Sequence, residues 1–129
     1  MRGASAIESA LEQARDPRLH AFVVWEPVLP TDWGPPSTPA LSRVHDPRAV
    51  QFWDKEHLLS KSLGGPEHLP RGDTVNSIGF EMSRVIWDFV AVYPPGSDRP
   101  SLTGAPVVGV IDELGQELNR VSLTGSRPQ

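Results

Sequence analysis

The sequence contains no cysteine among its 129 residues. Disulfide bonds, thiolate nucleophiles and cysteine-based metal sites are therefore excluded within this chain. Long apolar runs are also lacking. No segment approaches the roughly 18 apolar residues of a membrane span, and the first residues lack the apolar core of a secretory signal. We therefore expect a cytoplasmic chain that makes no contact with a membrane.

Clusters of positive charge are missing as well. Twelve Lys and Arg residues stand against sixteen Asp and Glu residues, a formal charge of -4, and the basic residues are scattered. We therefore predict no nucleic-acid partner. A hydrophobic fraction of 38% supports a packed core, while fourteen prolines and eleven glycines indicate long connections. The length suits one domain over 1–121, with a loop and helix insertion at about 30–80 and a flexible tail over 122–129.

The chain also lacks a strand before its first helix. Helical spacing of four apolar residues predicts that helix over 4–15: Ile7, Ala10, Leu11 and Ala14. The apolar run that follows predicts a buried strand over 19–28. A helix followed by a buried strand is half of a βαβ unit, and the parallel pairing of such a unit requires an earlier strand.

The middle of the chain is predicted to be loop and helix. Prolines over 29–39 indicate a loop at the carboxyl end of the first strand, where open α/β sheets bind ligands. A short helix is predicted over 40–44. Asp46-Pro47-Arg48 then indicates the start of a second helix, which Gly64-Gly65-Pro66 ends.

The last third of the chain is predicted to return to alternating strand and helix. The polar residues 66–79 indicate a loop, and the apolar run 84–93 indicates a second strong strand. A short antiparallel edge strand is expected within 99–104. An apolar stripe with helical spacing predicts a final helix from Pro106 to Val121.

One short sequence occurs twice. Asp16-Pro17-Arg18 precedes Phe22, and Asp46-Pro47-Arg48 precedes Phe52, about thirty residues later. The flanking patterns are predicted to differ in type, so these matches do not indicate a repeat architecture. Aspartate followed by proline is typical of turns, and we interpret the echo as a coincidence of turn chemistry.

Several segments in this order resemble a poorly characterised family of bacterial thioredoxin-like proteins, over nearly the whole chain. They are Arg2-Gly3-Ala4, Val23-Val24-Trp25-Glu26-Pro27-Val28-Leu29, Thr31-Asp32-Trp33, Asp46-Pro47-Arg48-Ala49-Val50-Gln51-Phe52-Trp53-Asp54, Trp87-Asp88, Tyr93-Pro94-Pro95-Gly96 and Pro106-Val107-Val108-Gly109-Val110-Ile111-Asp112-Glu113. The resemblance implies an α/β fold, a thioredoxin-like mixed sheet flanked by helices. It also implies a relation to thiol-disulfide oxidoreductases.

The resemblance places a Cys-x-x-Cys type motif, and the central first strand, just before the segment that matches Arg2-Gly3-Ala4. We expect both to be missing here, either through a true truncation or through a start chosen downstream of a selenocysteine codon. Residues 71–86 also contain no proline for the cis-proline that faces such cysteines. A thioredoxin-like sheet without its central strand leaves backbone groups unpaired. We therefore expect low stability, self-association, or direct pairing of the two strong strands.

Candidate binding residues cluster around the strong strands. Trp25, Glu26, Asp32, Trp33, Trp87 and Asp88 form a polar and aromatic pocket in one interpretation; in the other, the tryptophans pack and the acids are solvated or structural. In one interpretation, Asp54 and His57, three residues apart with His45 nearby, form an acid and base pair or a metal site; they are weak metal candidates because a third ligand at fixed spacing is lacking. In the other interpretation, they are surface residues. No resident metal or cofactor is predicted.

Two classes of function remain open on this sequence. The first is a relative of thiol-disulfide oxidoreductases that is inactive as written, because no sulfur is present to form a mixed disulfide. The second is a non-catalytic thioredoxin-fold module that binds a protein, a peptide or a small ligand around its tryptophans. The partner itself is not predicted.

Overall fold

The computed structural model describes residues 2–27, 34–63, 86 and 88–125. Helices α1 (Arg2–Gln13) and α4 (Ile111–Thr124) are its longest elements, with short helices α2 (Thr38–Leu41) and α3 (Leu58–Ser62) between them. The strands are β1 (Ala21–Trp25), β2 (Ala49–Trp53), β3 (Val90–Val92) and β4 (Leu102–Gly104), and a 3₁₀ helix over Val107–Val110 leads into α4. The chain is therefore a mixed α/β protein.

The strands form two small sheets. β1 pairs with β2 in parallel, from Ala21 opposite Ala49 to Trp25 opposite Trp53. β3 pairs with β4 in an antiparallel manner. The prediction of one mixed sheet is thus wrong for the described residues, and the two strong strands do not pair with each other. Each pairs instead with the next strand along the chain, β1 with β2 and β3 with β4.

The core lies between α1, α4 and the β3–β4 sheet. Its buried members recur every three or four residues along the helices, so each helix turns one apolar stripe inwards: Ala10, Ala14, Leu114, Leu118 and Val121, together with Val92 of β3. Both helices were predicted from this spacing. α4 ends at Thr124, three residues beyond the predicted end.

The predicted helix over 46–63 is wrong in its first half. Residues 49–53 form β2, and only Leu58–Ser62 is helical. β-branched and aromatic residues favour a strand when a partner strand is available. β1 provides that partner, and the helical spacing of the apolar residues in this segment does not reveal the pairing. The interpretation of 30–80 as loop and helix therefore has to include this strand.

The second strong strand is shorter than predicted. β3 covers only Val90–Val92, because Asp88 takes a left-handed φ of 49°, which does not fit an extended strand. The edge strand expected within 99–104 is confirmed as β4. A cis peptide bond joins Ala105 to Pro106, directly after β4. None of the helices in the described part of the chain has the length and apolar character needed to cross a bilayer.

Candidate functional site

The carboxyl ends of β1 and β2 bring two acidic residues together. Trp25 and Trp53 are paired in register, so Glu26 and Asp54 leave the sheet side by side. The backbone N–H of Asp54 donates to the carbonyl oxygen of Trp25 at 2.8 Å, which extends the pairing by one residue. With His57 and Ser60, which follow in the chain, these two acids make up a group that we call the strand-end cluster.

Glu26 is tied to helix α3 through Ser60. The Ser60 hydroxyl donates to Glu26 Oε2 at 2.5 Å, and the Ser60 N–H donates to Oε1 at 3.2 Å. Ser60 is fully buried, and its hydroxyl oxygen accepts the backbone N–H of Ile86 at 3.0 Å. Because the Ser60 hydroxyl is buried and fully engaged, it acts here as a bridge and is not exposed as a nucleophile.

The two carboxyl groups differ in proton affinity. Burial raises the pKa of Glu26, and the hydrogen bond and charge of Asp54 add to this rise, while the bonds from Ser60 oppose it. Burial also tends to raise the pKa of Asp54, but the backbone N–H groups of Leu59 and Leu58 and the bond to Glu26 outweigh it, so that pKa is lowered. Of the two carboxyl groups, that of Glu26 therefore binds a proton more readily.

The side chains of Asp54 and His57 both contact backbone groups of this region. Asp54 Oδ2 accepts the N–H of Leu59 at 2.8 Å, at the start of α3. The Nε2 atom of His57 lies 2.6 Å from the carbonyl oxygen of Pro27, and His57 holds a left-handed φ of 57°. Both side chains thus join α3 to the end of the sheet.

A group of three metal-type ligands does occur elsewhere among the residues that the structure describes. The ligand atoms of Glu8, Glu12 and His45 lie within 4.8 Å of one another. Asp54 and His57 are not part of it. Sequence reasoning noted only His45, although the spacing of Glu8 and Glu12 on one face of a predicted helix was a usable signal.

The predicted pocket is only partly visible. Trp25 donates from Nε1 to Gln51 Oε1 at 2.9 Å, so this indole is engaged across the β1–β2 sheet. Asp32, Trp33 and Trp87 lie outside the described residues. The prediction that these residues form one pocket with Glu26 and Asp88 therefore stays a prediction.

Asp88 lies at the amino end of α1. It is exposed and precedes β3, and its Oδ1 accepts the N–H of Val107 at 3.4 Å. A Cβ atom at Gly3 would stand 2.2 Å from the same oxygen, so the carboxylate lies directly against the first turn of the helix. That turn carries no acidic residue of its own. Asp88 therefore supplies the negative charge that a helix amino terminus favours.

The β1–β2 sheet has one covered and one exposed face. On the covered face, Gln51 donates from Nε2 to the carbonyl oxygens of Leu41 and Val44, at 2.9 and 2.8 Å. On the other face, Phe22, Val50 and Phe52 are 67%, 48% and 48% exposed. The two phenylalanine rings lie 6.3 Å apart between centroids. We call these three residues the apolar sheet face.

The comparisons with known proteins add no relative to this description. No protein-family model, no curated protein and no solved structure matches the chain.

Proposed function

We propose that this chain is a non-catalytic binding module that holds a protein partner against the apolar sheet face. The observation that carries the proposal is the exposure of Phe22, Val50 and Phe52 side by side on a regular sheet. Contiguous apolar surface on a soluble domain marks binding sites for proteins or ligands. Aromatic side chains contribute disproportionately to such interfaces.

The parallel pairing of β1 and β2 supports the same proposal. Parallel sheets are normally covered on both faces. Here the segment around α2 covers one face through Gln51, while the opposite face keeps two adjacent aromatic rings in solvent. A partner that covers the second face would complete the usual arrangement and remove this apolar area from water.

As a second part of the proposal, this module is related to thioredoxin-like proteins and acts in the cytoplasm. Without cysteine, the chain has no sulfur for a mixed disulfide. The amino end of α1 instead faces the carboxylate of Asp88. We therefore favour recognition over redox catalysis for this chain, and we expect no activity in an insulin-reduction assay.

The proposal is tested by replacing Phe22 and Phe52 together with serine. The tagged wild-type chain is immobilised and exposed to a lysate of its native host, and each retained protein is identified and purified. The purified partner is then titrated against the variants. We expect the double variant to bind it at least about 30-fold more weakly, the loss associated with two aromatic anchors.

The matched control is Leu123→Ser, because Leu123 is 75% exposed but lies on α4. This variant should bind the partner like the wild type. Sedimentation of the free chain shows whether the partner is a second copy, as expected if the exposed sheet drives self-association. Equal binding by the wild type and the double variant, or the absence of any saturable partner, would contradict the proposed function.

A further inference from the structure

Three side chains from α1 and from the segment before β2 form a second candidate site. Glu8 and Glu12 lie one turn apart on α1, and His45 lies in the segment between α2 and β2. The three side chains converge from two parts of the chain that are more than thirty residues apart. Glu8 Oε1 and His45 Nδ1 are separated by 3.1 Å.

Glu8 is held in place before any ligand arrives. Its side chain is about nine-tenths buried, and its Oε2 atom accepts the backbone N–H groups of His45 and Asp46, at 3.0 and 3.2 Å. These two bonds fix the carboxylate plane and direct Oε1 towards the His45 ring. A carboxylate fixed in this way loses little side-chain entropy when it binds an ion.

The other two ligands are open to solvent. His45 is 72% exposed, and Glu12 is exposed on the same side of α1. A surface cavity of about 440 Å³, lined in part by Glu12 and Asp46, adjoins the group. Two guanidinium groups, those of Arg15 and Arg48, also line this cavity. That of Arg48 is ion-paired with Asp46 at 2.7 Å, which offsets its repulsion of a cation.

We propose that Glu8, Glu12 and His45 bind a divalent transition-metal ion, with Zn²⁺ the best match. Ligands about 2.1 Å from a tetrahedral zinc ion lie roughly 3.4 Å from one another, and Glu8 Oε1 and His45 Nδ1 are 3.1 Å apart before the ion binds. One imidazole and two carboxylates suit zinc and its neighbours better than calcium or magnesium. A water molecule fills the fourth position. The ion replaces the contact between Glu8 and His45 and crosslinks α1 to the segment before β2.

The test is isothermal titration of the untagged full chain with zinc chloride at pH 7.5. We expect one saturable site. Glu12→Gln and His45→Asn each remove one exposed ligand and should weaken binding at least about tenfold. His20→Asn is the matched control, because His20 is an exposed histidine outside the group, and it should leave the affinity unchanged.

Cobalt provides a spectroscopic check of the same site. Co²⁺ bound to the wild type should give a visible absorption band, and His45→Asn should remove it. Circular dichroism confirms that the variants are folded. The inference is overturned if the wild type shows no saturable site, or if His20→Asn weakens binding as much as His45→Asn does.

Discussion

The guanidinium of Arg48 donates to the carbonyl oxygen of Asp16 at 2.9 Å, so one Asp-Pro-Arg turn holds the other. Arg48 also donates to the carbonyl oxygens of Leu11 and Ala14 at the end of α1. In the first turn, Arg18 donates to the carbonyl oxygens of Ser122 and Gly125 at the end of α4. Neither helix has a basic residue in its own last turn. Each Asp-Pro-Arg turn therefore supplies the cation that caps a helix elsewhere in the chain.

Removal of the Arg48 side chain should destabilise the protein far more than removal of Arg18. The Arg48 and Asp46 side chains are 17% and 9% exposed, so Arg48→Ala leaves a buried carboxylate and several helix carbonyls without a partner. We expect a loss of about 3 kcal/mol in the free energy of unfolding. Urea denaturation of the purified variant measures this change.

Arg18→Ala serves as the comparison, because Arg18 is 54% exposed while making the same type of turn. Its loss should be much smaller than that of Arg48→Ala, because solvent screens the exposed pair. Arg48→Lys should lie between the wild type and Arg48→Ala, since lysine keeps the charge but not the planar fork. Similar losses for Arg48→Ala and Arg18→Ala would contradict the importance of burial at the second turn.

Asp46 should make the fold sensitive to acid. The side-chain hydrogen bonds from Arg48, its backbone N–H and its charge lower the pKa of Asp46 from 3.8 to about 2. A carboxyl group with a lowered pKa in the folded state stabilises above its unfolded pKa, and this stabilisation is lost as the pH falls through the folded value. We expect Asp46 to contribute fully above pH 4 and to lose its contribution towards pH 2.

Denaturation curves at a series of pH values check this expectation. Asparagine does not ionise, so Asp46→Asn should remove the loss of stability that protonation of Asp46 causes between pH 4 and pH 2. The variant should therefore unfold with a shallower dependence on pH than the wild type. An unchanged slope would show that Asp46 does not titrate in this range.

Glu26 should act in the opposite direction. Burial and the adjacent Asp54 raise the pKa of Glu26 in the folded state. A carboxyl group with a raised folded pKa stabilises below its unfolded pKa, and this stabilisation is lost as the pH rises through the folded value. Glu26→Gln keeps an oxygen that accepts the Ser60 hydroxyl but cannot ionise. The free energy of unfolding of Glu26→Gln, relative to that of the wild type, should therefore be higher at pH 7 than at pH 4.

Chemical denaturation of wild type and Glu26→Gln at both pH values measures this difference. Glu56→Gln is the control for the substitution itself, because Glu56 is an exposed glutamate on the same segment. A stability difference between Glu26→Gln and the wild type that is equal at pH 4 and pH 7 would contradict the raised pKa.

A side chain at Gly3 should displace the carboxylate of Asp88. A Cβ at Gly3 would lie 2.2 Å from Asp88 Oδ1, far inside contact distance. Because the Asp88 side chain is exposed and can rotate away, we expect Gly3→Ala to destabilise the fold by at most about 1 kcal/mol. Adding Asp88→Ala should recover part of this loss, because the obstructing carboxylate is gone. Thermal denaturation of both single variants and the double variant gives the coupling energy.

Gly115→Ala offers the same substitution at an open position. Gly115 lies inside α4, and nothing surrounds a Cβ built there within 4 Å. Alanine should stabilise this helix by about 0.5–1 kcal/mol. A destabilisation at both glycines would point to a general effect of the substitution instead of a clash with Asp88.

The two long helices and the strand β1 were predictable because their signals are local. The apolar stripes of α1 and α4 repeat every three or four residues, and the run that contains Phe22, Val23 and Val24 has few alternatives to a strand. β2 was not predictable in the same way, since Val50, Trp53 and His57 also fit one face of a helix. The repeated Asp-Pro-Arg turn is the sequence feature that indicates β2, because each copy precedes one strand of the parallel pair.

The strand-end cluster shows the same division between local and distant information. The sequence indicates Glu26 through its place after an apolar strand, but it indicates Asp54 only as a partner of His57, in a metal site or in an acid and base pair. Nothing local in the sequence links two acids 28 positions apart. Their proximity follows from the register that sets Trp25 against Trp53, and a shift of one residue would have turned them to different faces.

Composition and local pattern alone determined that this chain has no thiol chemistry, that α1 and α4 each present one apolar stripe, and that its turns form at Asp-Pro-Arg. These properties depend on residue type and on neighbours within one or two helical turns. Which strands pair, which helix each arginine caps and which acids lie side by side depended on contacts between segments distant in sequence. Those contacts form only when burial and hydrogen bonding of the whole chain select one register.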